Sequence, residues 1–385
     1  MIHLQFNLSS LSGIYLHIPF CKQACYYCDF HFSTNLKPLD QLIQSMEKEL
    51  SLKCDFFQEP VKSIYFGGGT PSLLSPKKIE GLLNQISKNF TLTDEMEVTM
   101  EANPDDIDED KLRTLHSIGI NRLSIGIQTF NDEKLAFIHR AHNGPQAFKS
   151  LEMIRSSGFE NITADLIYGI PPHNMDLLEK DLETLLSFDL PHLSVYGLTI
   201  EEETPFGKWF KQGKLEPVSD DQQLMEYKAV IDSLINHGYE HYEVSNFAKP
   251  DRYAVHNTAY WKGGKYLGVG PGAHSFDGDS RSFNVRNNHE YISLIKQDRP
   301  VHTTEQLTKA DRINEYIMTR LRTIWGIHLE EFENKFNRSF LDIDQNFTQS
   351  LVRNGQAKLE KNQYYLTRKG WFVADEICAR LFIVE

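Results

Sequence analysis

Residues Gly13 to Phe32 read GIYLHIPFCKQACYYCDFHF. Three cysteines, Cys21, Cys25 and Cys28, follow a short apolar run in this stretch with the spacing C-x3-C-x2-C. Thiolates are the ligands of iron–sulfur clusters, and three thiolates leave one iron of a [4Fe–4S] cluster open. An open metal position is typical of reactive sites rather than purely structural ones. The stretch therefore predicts a cluster loop after a first strand, with one iron kept for a ligand that the protein does not supply.

Other interpretations of the three cysteines are weaker. A zinc site takes four ligands, and Asp29, His17 or His31 would supply the fourth, so zinc stays open as an alternative. A disulfide framework is not favoured, because three closely spaced cysteines cannot all pair and no secretory segment precedes them. Cys54 and Cys378 are isolated in the sequence, and each is expected to be a buried structural thiol rather than a ligand.

The composition is that of an ordinary globular protein of two or three domains. The chain has 385 residues, of which 40% are hydrophobic and 24% charged, and its net charge is −13. This charge argues against broad attraction to nucleic acid or an anionic membrane. The sequence shows no transmembrane run and no signal peptide. Cysteines concentrated in one loop fit a reducing cytoplasm.

Short apolar strands alternate with amphipathic helices from residue 13 to about residue 200. The predicted strands are Ile14–Ile18, Ser63–Phe66, Glu97–Glu101, Arg122–Ile127, Ile162–Ile167 and Leu193–Leu198. The predicted helices are Leu39–Phe57, Pro76–Asn89, Asp108–Ile118, Pro145–Ser157 and Asp176–Phe188. Repeated βα units predict a parallel sheet with helices packed outside it. Six units predict an incomplete (β/α) barrel, an α/β fold with its chemistry at the C-terminal ends of the strands.

Polar side chains and glycines follow the C-terminal ends of these strands. The glycines at 67–69 allow a ligand to approach the backbone closely. Glu101 is a candidate for binding an ammonium group, Gln128 and Asp165 for binding ribose hydroxyls, and Arg140 for binding a carboxylate. Each residue alone is ordinary, but their convergence on one rim predicts a site for a ligand with an amino-acid part.

The cysteine motif and the GGGT loop at residues 67–70 together resemble the radical S-adenosylmethionine (SAM) family. Two further motifs, YLHIPFC at 15–21 and DLIYGIP at 165–171, narrow the resemblance. They resemble the group that contains oxygen-independent coproporphyrinogen III oxidase and the heme chaperone HemW, over nearly the whole chain. The resemblance implies a [4Fe–4S] cluster whose open iron binds SAM through its amino and carboxylate groups. The SAM contacts that it implies are Tyr15, Tyr27, Gly68, Gly69, Thr70, Glu101, Gln128, Arg140, Asp165, Gly197 and His274.

A second motif lies in a less regular middle segment. After a predicted helix, Asp220–His237, residues 256–261 read HNTAYW and match the H-N-x-x-Y-W motif of the HemW group. There the resemblance implies heme binding, with His256 as the candidate ligand, since a neutral imidazole is a standard axial ligand of heme iron. The alternative is a structural His256 and a Trp261 in the core. The glycines at 268–272 are expected to close the barrel mouth and to place His274 near SAM.

The last segment is expected to be a separate winged-helix-like domain. Helices are predicted at Asp311–Leu321 and Phe347–Asn354, followed by a hairpin of Ala357–Leu359 and Tyr364–Leu366. Residues 311–385 carry eleven basic and eleven acidic side chains, so they lack a basic footprint for nucleic acid. The expected domains are 1–204, a partial (β/α)6 radical SAM barrel; 205–310, a barrel-closing segment with the heme motif; and 311–385, the C-terminal α/β domain.

Two functions of different classes follow from the resemblance. One is a heme chaperone with heme, a heme-acceptor protein and an electron donor to the cluster as partners, and with a homodimer as a possible assembly. The other is coproporphyrinogen III oxidase, which decarboxylates porphyrinogen propionates by radical SAM chemistry. The chaperone is favoured because Phe30 stands where the oxidase pattern has a fourth cysteine, and because only twenty residues precede Cys21.

Overall fold

Alternating strands and helices build most of this fold. A computed structural model describes residues 11–384. Its strands are β1 (Ser12–Ile18), β2 (Val61–Gly68), β3 (Leu92–Ala102), β4 (Arg122–Gln128), β5 (Asn161–Tyr168), β6 (His192–Gly197), β7 (Glu240–Glu243), β8 (Asn246–Ala248), β9 (Lys265–Val269), β10 (His274–Phe276), β11 (Ser280–Asn284), β12 (His302–Gln306), β13 (Ile327–His328), β14 (Ala357–Glu360) and β15 (Gln363–Leu366). Its helices are α1 (Leu39–Leu52), α2 (Pro76–Asn89), α3 (Glu109–Ser117), α4 (Asp132–Phe137), α5 (Gly144–Ser156), α6 (Met175–Ser187), α7 (Pro205–Lys211), α8 (Asp220–Asn236), α9 (Val255–Trp261), α10 (Asn288–Lys296), α11 (Lys309–Leu321), α12 (Leu329–Phe336), α13 (Gln345–Arg353), α14 (Arg368–Trp371) and α15 (Ala374–Leu381).

Twelve strands form one sheet in the order β12-β11-β10-β9-β1-β2-β3-β4-β5-β6-β8-β7. The run from β9 to β6 is parallel, and the strands beyond it on both edges are antiparallel. Among the described strands the two edges, β12 and β7, do not pair with each other. The sheet is therefore a partial barrel, which confirms the predicted fold class.

Burial explains why these segments form strands and helices. Every residue of β4 is buried, as expected for a strand covered on both faces of a parallel sheet. In α2, Ile79, Leu82 and Ile86 are fully buried, and their spacing places them on one face of the helix. Pro76 begins that helix after Ser75, as the sequence predicts.

All predicted strands and helices of the first 200 residues are present, with ends that differ by a few residues. The largest differences are in α1, which ends at Leu52 instead of Phe57, and in β3, which begins at Leu92 instead of Glu97. Cys54, just beyond the end of α1, is exposed and not buried as predicted, whereas Cys378 is buried. The middle segment holds more strand than the sequence indicated, because β9 continues the parallel sheet beside β1 and three antiparallel strands follow it. The five residues of β9, KYLGV, are too few for a clear periodic signal.

The C-terminal segment has a core of its own. A three-stranded sheet, β13-β15-β14, packs with α11 to α15 around buried side chains that include Phe332, Phe340 and Tyr364. The predicted hairpin is present as β14 and β15. Among the described helices none is long and apolar enough to cross a membrane. The domain boundaries themselves stay predictions.

Candidate cofactor site

One cavity inside the partial barrel collects the predicted site residues. Its volume is about 1170 Å³, which is larger than the roughly 300–1,000 Å³ of most small-molecule pockets. All fifteen candidates line it: Tyr15, Cys21, Cys25, Tyr27, Cys28, Gly68, Gly69, Thr70, Glu101, Gln128, Arg140, Asp165, Gly197, His256 and His274. We call the end at the C-termini of the parallel strands the upper end, and the opposite end the lower end.

The cysteine loop at the upper end is anchored to two neighbouring segments. Lys22 forms an ion pair with Asp105 at 2.8 Å. Gln23 donates a hydrogen bond to the carbonyl oxygen of His139 at 3.0 Å, and the ring of Tyr26 stacks on the His139 ring at 4.3 Å between centroids. These contacts fix the part of the loop that lies between Cys21 and Cys28. None of the anchoring residues was predicted from the sequence, because the partners lie more than 80 residues apart in the chain and leave no local pattern.

The three thiols fit an iron–sulfur group. They form no disulfides and share the cavity wall, while Thr70 hydrogen-bonds to Cys21. Burial raises the pKa of Cys21 to about 11 and that of Cys28 to about 12, so both are neutral thiols until a metal removes the proton. A Cβ on Gly69 would stand 2.9 Å from the Sγ atom of Cys21, so only glycine leaves this room.

A zinc ion needs its four ligands to meet at one point. In residues 11–384 no three His, Cys, Asp or Glu side chains are arranged to hold a single metal ion. A four-iron cluster binds its thiolates at separate irons, so its ligands need not meet at one point.

Arg140 lies beside the thiols, and its guanidinium already forms several hydrogen bonds within the protein. Its guanidinium donates to Asn103 Oδ1 at 2.6 Å, to the Gly126 carbonyl at 2.8 Å and to Cys25 Sγ at 3.5 Å. Its Nε atom is buried without a hydrogen-bond partner among the described residues. A cation in this position stabilises a thiolate. Its proposed carboxylate contact would use the N–H groups that these three bonds leave.

Glu101 faces the glycine loop, where an ammonium ligand was predicted. Its carboxylate accepts hydrogen bonds from Tyr65 Oη at 2.8 Å and from the Gly68 amide at 3.1 Å. Burial raises the pKa of Glu101 to about 7, so an incoming cation would favour the ionised form. Tyr15 lines the same region, and its hydroxyl lies 3.1 Å from His17 Nδ1.

Asp165 on β5 and Gln128 at the end of β4 also line the cavity. Asp165 accepts hydrogen bonds from Ser124 at 3.2 and 3.3 Å, and burial raises its pKa to about 6. Gln128 ends β4 with φ at +68°, beside an irregular pairing with β5. This left-handed residue turns the strand end, as a bulge does near many active sites. His274 is exposed at the rim, with its ring 5.9 Å from that of Phe283.

His256 occupies the lower end, away from the cysteines. Its Nδ1 is 2.9 Å from Ser63 Oγ, and its ring lies 5.1 Å from the Tyr65 ring. It also contacts Gly13, at the start of β1, whereas the cysteine loop follows Ile18 at the other end. Five residues of strand separate these levels, or about 16 Å. Burial lowers the pKa of His256 to about 4, so the ring is neutral.

The rest of the H-N-x-x-Y-W motif divides between the cavity and the protein interior. Asn257 and Tyr260 line the cavity, and Asn257 donates to Glu243 at 3.4 Å. Trp261 does not line the cavity that the described residues form. It packs instead against Arg322, whose guanidinium lies 6.0 Å from the ring. Glu97, which the sequence did not single out, accepts the backbone N–H of His256 at 3.0 Å and so fixes the start of α9.

Known proteins resemble this chain over almost its full length. Residues 15–185 match the Radical SAM superfamily and residues 307–373 match the HemN C-terminal domain. Heme chaperone HemW of Bacillus subtilis (strain 168) is 35% identical over 371 residues, which cover 95% of this chain and 98% of that protein. Heme chaperone HemW of Lactococcus lactis subsp. lactis (strain IL1403) is 35% identical over 377 residues, 98% of each chain. The chain belongs to the HemW family of radical SAM proteins.

A solved structure extends this relationship to the oxidase. Coproporphyrinogen III oxidase (HemN) from Escherichia coli, a radical SAM enzyme, is 25% identical and superposes with a TM-score of 0.84 over 97% of this chain and 91% of its own. The shared fold confirms the predicted partial barrel. Membership of the radical SAM family implies a [4Fe–4S] cluster and SAM, and the thiols, Glu101 and the glycine loop provide groups of the right chemistry at one end of the cavity.

Proposed function

We propose that this HemW-family protein is a heme chaperone that binds heme at the lower end of its cavity and passes it to an acceptor protein. The observation that carries the proposal is the position of His256, the first residue of the H-N-x-x-Y-W motif, on the wall of the cavity that also holds the three thiols. The HemW relatives bear the name heme chaperone over the full length of the alignment.

The environment of His256 suits an axial ligand of heme iron. A metal-binding imidazole uses one nitrogen for the metal while the other is held by a hydrogen bond that fixes the ring. Here Nδ1 is held by Ser63, so Nε2 is the nitrogen for iron. Two other cavity histidines are unsuited, because both ring nitrogens of His17 and of His192 already have hydrogen-bond partners.

The upper end would keep the radical SAM cofactors. Cys21, Cys25 and Cys28 would hold the cluster, and the SAM contacts would be those implied by the family resemblance. When bound, the cluster and SAM supply one-electron chemistry, while the protein orients SAM and excludes water. Arg140 would stabilise the thiolates, and Glu101 would accept the SAM ammonium. Such a cluster needs an electron donor and a reducing compartment, for which we propose the cytoplasm.

A heme titration tests the proposal. Ferric heme is added to the anaerobically reconstituted protein and to the variants His256→Ala and His237→Ala. His237 is exposed at the end of α8 and serves as the matched histidine control. We expect wild type and His237→Ala to bind one heme per chain with the same Soret band, and His256→Ala to bind more weakly with a shifted band. An unchanged affinity and spectrum in His256→Ala would remove this residue as the ligand.

The alternative function is the oxidase itself, which the similarity to the Escherichia coli enzyme favours. Phe30 argues against it, because the oxidase pattern has a cysteine there, and in this chain the Phe30 side chain is 69% exposed at the cavity wall. An oxidase would convert coproporphyrinogen III into protoporphyrinogen IX, whereas a chaperone would leave it unchanged.

A further inference from the structure

The lower end of the cavity contains an arginine that neither the cluster nor the iron ligand uses. Arg281 lines this end together with Tyr260 and Tyr266, whose rings are 5.8 Å apart. We call His256, Tyr260, Tyr266 and Arg281 the lower chamber. Its tyrosines provide flat apolar faces and Arg281 provides a positive charge. This combination suits a flat apolar ligand that carries carboxylates.

Strand register places Arg281 level with His256. The ring of His256 lies on Gly13, which pairs with Tyr266. Tyr266 pairs with Phe276, and Phe276 pairs with Arg281. Three strand spacings separate Gly13 from Arg281, or about 14 Å between backbones. An arginine side chain and the propionate arm of a heme bound to His256 can span this interval together.

The guanidinium of Arg281 has N–H donors that no described residue accepts. Its Nη1 forms an ion pair with Glu315 at 2.9 Å, and it also hydrogen-bonds to Tyr266. Its Nε is buried without a partner among the described residues. Buried N–H groups seldom lack an acceptor, and because Arg281 lines the cavity a ligand can supply one here. Arginine presents its donors as a rigid fork that binds carboxylates side-on, and Glu315 occupies only one part of that fork.

We propose that the Nε edge of Arg281 binds a propionate carboxylate of the heme whose iron His256 ligates. This inference rests on the proposed heme-chaperone function and assigns a protein partner to the propionate groups of the heme. A carboxylate buried in the chamber needs a cation, because an unpaired charge in an apolar site is costly. Glu315, on α11, would hold the guanidinium in place from the other side. Lys265, paired with Glu59 at 3.6 Å, adds positive charge at the same level.

Esterification of the ligand tests the propionate contact without changing the protein. Wild type is titrated with heme and with heme dimethyl ester, in which both carboxylates are blocked. The same titrations are run on Arg281→Gln, on Arg281→Lys and on the control Arg312→Gln. Arg312 is a matched control because it too has one carboxylate partner, Asp279 at 3.1 Å, and a buried Nε without a described partner, but it does not appear in the described cavity wall.

We expect wild type and Arg312→Gln to prefer heme over its dimethyl ester by about tenfold, the ratio for losing one charge-assisted hydrogen-bonded contact. Arg281→Gln should bind the two ligands equally, and Arg281→Lys should fall between, because it keeps the charge but loses the fork. The Soret band should stay that of His256 ligation in all variants. A preference that survives in Arg281→Gln, or its absence in wild type, would overturn the inference while leaving heme binding itself intact.

SAM also carries a carboxylate, and a second titration separates the two sources. SAM is added to wild type and Arg281→Gln in the absence of heme. We expect equal SAM affinity, because the implied SAM contacts lie at the upper end. A loss of SAM affinity in Arg281→Gln with heme affinity unchanged would overturn the assignment to heme. Failure of wild type to bind heme at all would overturn both this inference and the proposed function.

Discussion

The glycine loop after β2 makes contact with the cysteine loop, and replacing Gly69 by alanine tests how closely the two depend on each other. The Gly69 amide donates to the Ile18 carbonyl at 2.9 Å, and the Thr70 amide donates to the Phe20 carbonyl at 2.7 Å. A Cβ on Gly69 would lie 2.6 Å from the Phe20 oxygen and 2.9 Å from Cys21 Sγ. Ordinary contacts start near 3.4 Å, so the Phe20 carbonyl would have to retreat by about 0.8 Å.

Such a displacement exceeds what a cofactor site tolerates, since ligating groups must be held within about 0.5 Å of their working positions. We therefore expect Gly69→Ala to fold, to lose about 1–3 kcal/mol of stability through overpacking, and to retain far less cluster than wild type. The assay is iron and sulfide content per chain after anaerobic reconstitution, together with the free energy of unfolding of the cluster-free protein.

Gly81→Ala is the matched control. In α2 its new Cβ would meet only the flexible carboxylate of Glu47, and alanine is the better helix former by about 1 kcal/mol. This variant should keep full cluster content and equal or higher stability. If Gly69→Ala binds as much cluster as Gly81→Ala, the glycine loop does not shape the cysteine loop in the way described.

Three further predictions concern other parts of the molecule. Cys25→Ser should abolish the iron–sulfur absorbance, and full cluster content in this variant would refute the three-thiolate assignment. Asp165 has a folded-state pKa of about 6 against an ordinary 3.8, so the folded chain holds this proton longer than the unfolded chain does. The cofactor-free wild type should therefore lose stability relative to Asp165→Asn as pH rises from 4 to 6; parallel pH profiles in urea unfolding would contradict this. Glu49→Ala should lower the free energy of unfolding by about 3–5 kcal/mol, because it strands the buried donors of Tyr291, Asn284 and the Gly270 amide, and a loss below 1 kcal/mol would show that water replaces the carboxylate.

The barrel was predictable because each of its units repeats a strong local pattern. The alternating apolar residues of β4, at 123, 125 and 127, and the one-sided apolar positions of α2 both leave a periodic signal in sequence. The strand β9 did not, since its five residues, KYLGV, are too few for a clear periodic signal. Its place beside β1 depends on pairing between residues about 250 positions apart, which no local pattern encodes.

The site was predictable in composition but not in layout. Cysteine spacing and strand ends identified residues that all line one cavity. No sequence pattern indicates that His256 lies at the N-terminal ends of the parallel strands, opposite the cysteines, because that position follows from packing of α9 against Ser63 and Glu97. Arg281 was not predicted as a site residue either, because its place near His256 depends on strand register with Gly13 and leaves no local sequence pattern.

This radical SAM chain is proposed to carry heme rather than to make the precursor of heme. The most direct measurement gives one anaerobic preparation, with cluster and SAM content verified, both ferric heme and coproporphyrinogen III together with a reductant. We expect one heme to bind per chain with the spectrum of His256 ligation, and we expect coproporphyrinogen III to be recovered unchanged. Stoichiometric or repeated conversion to protoporphyrinogen IX with release of carbon dioxide would contradict it and make the protein an oxidase.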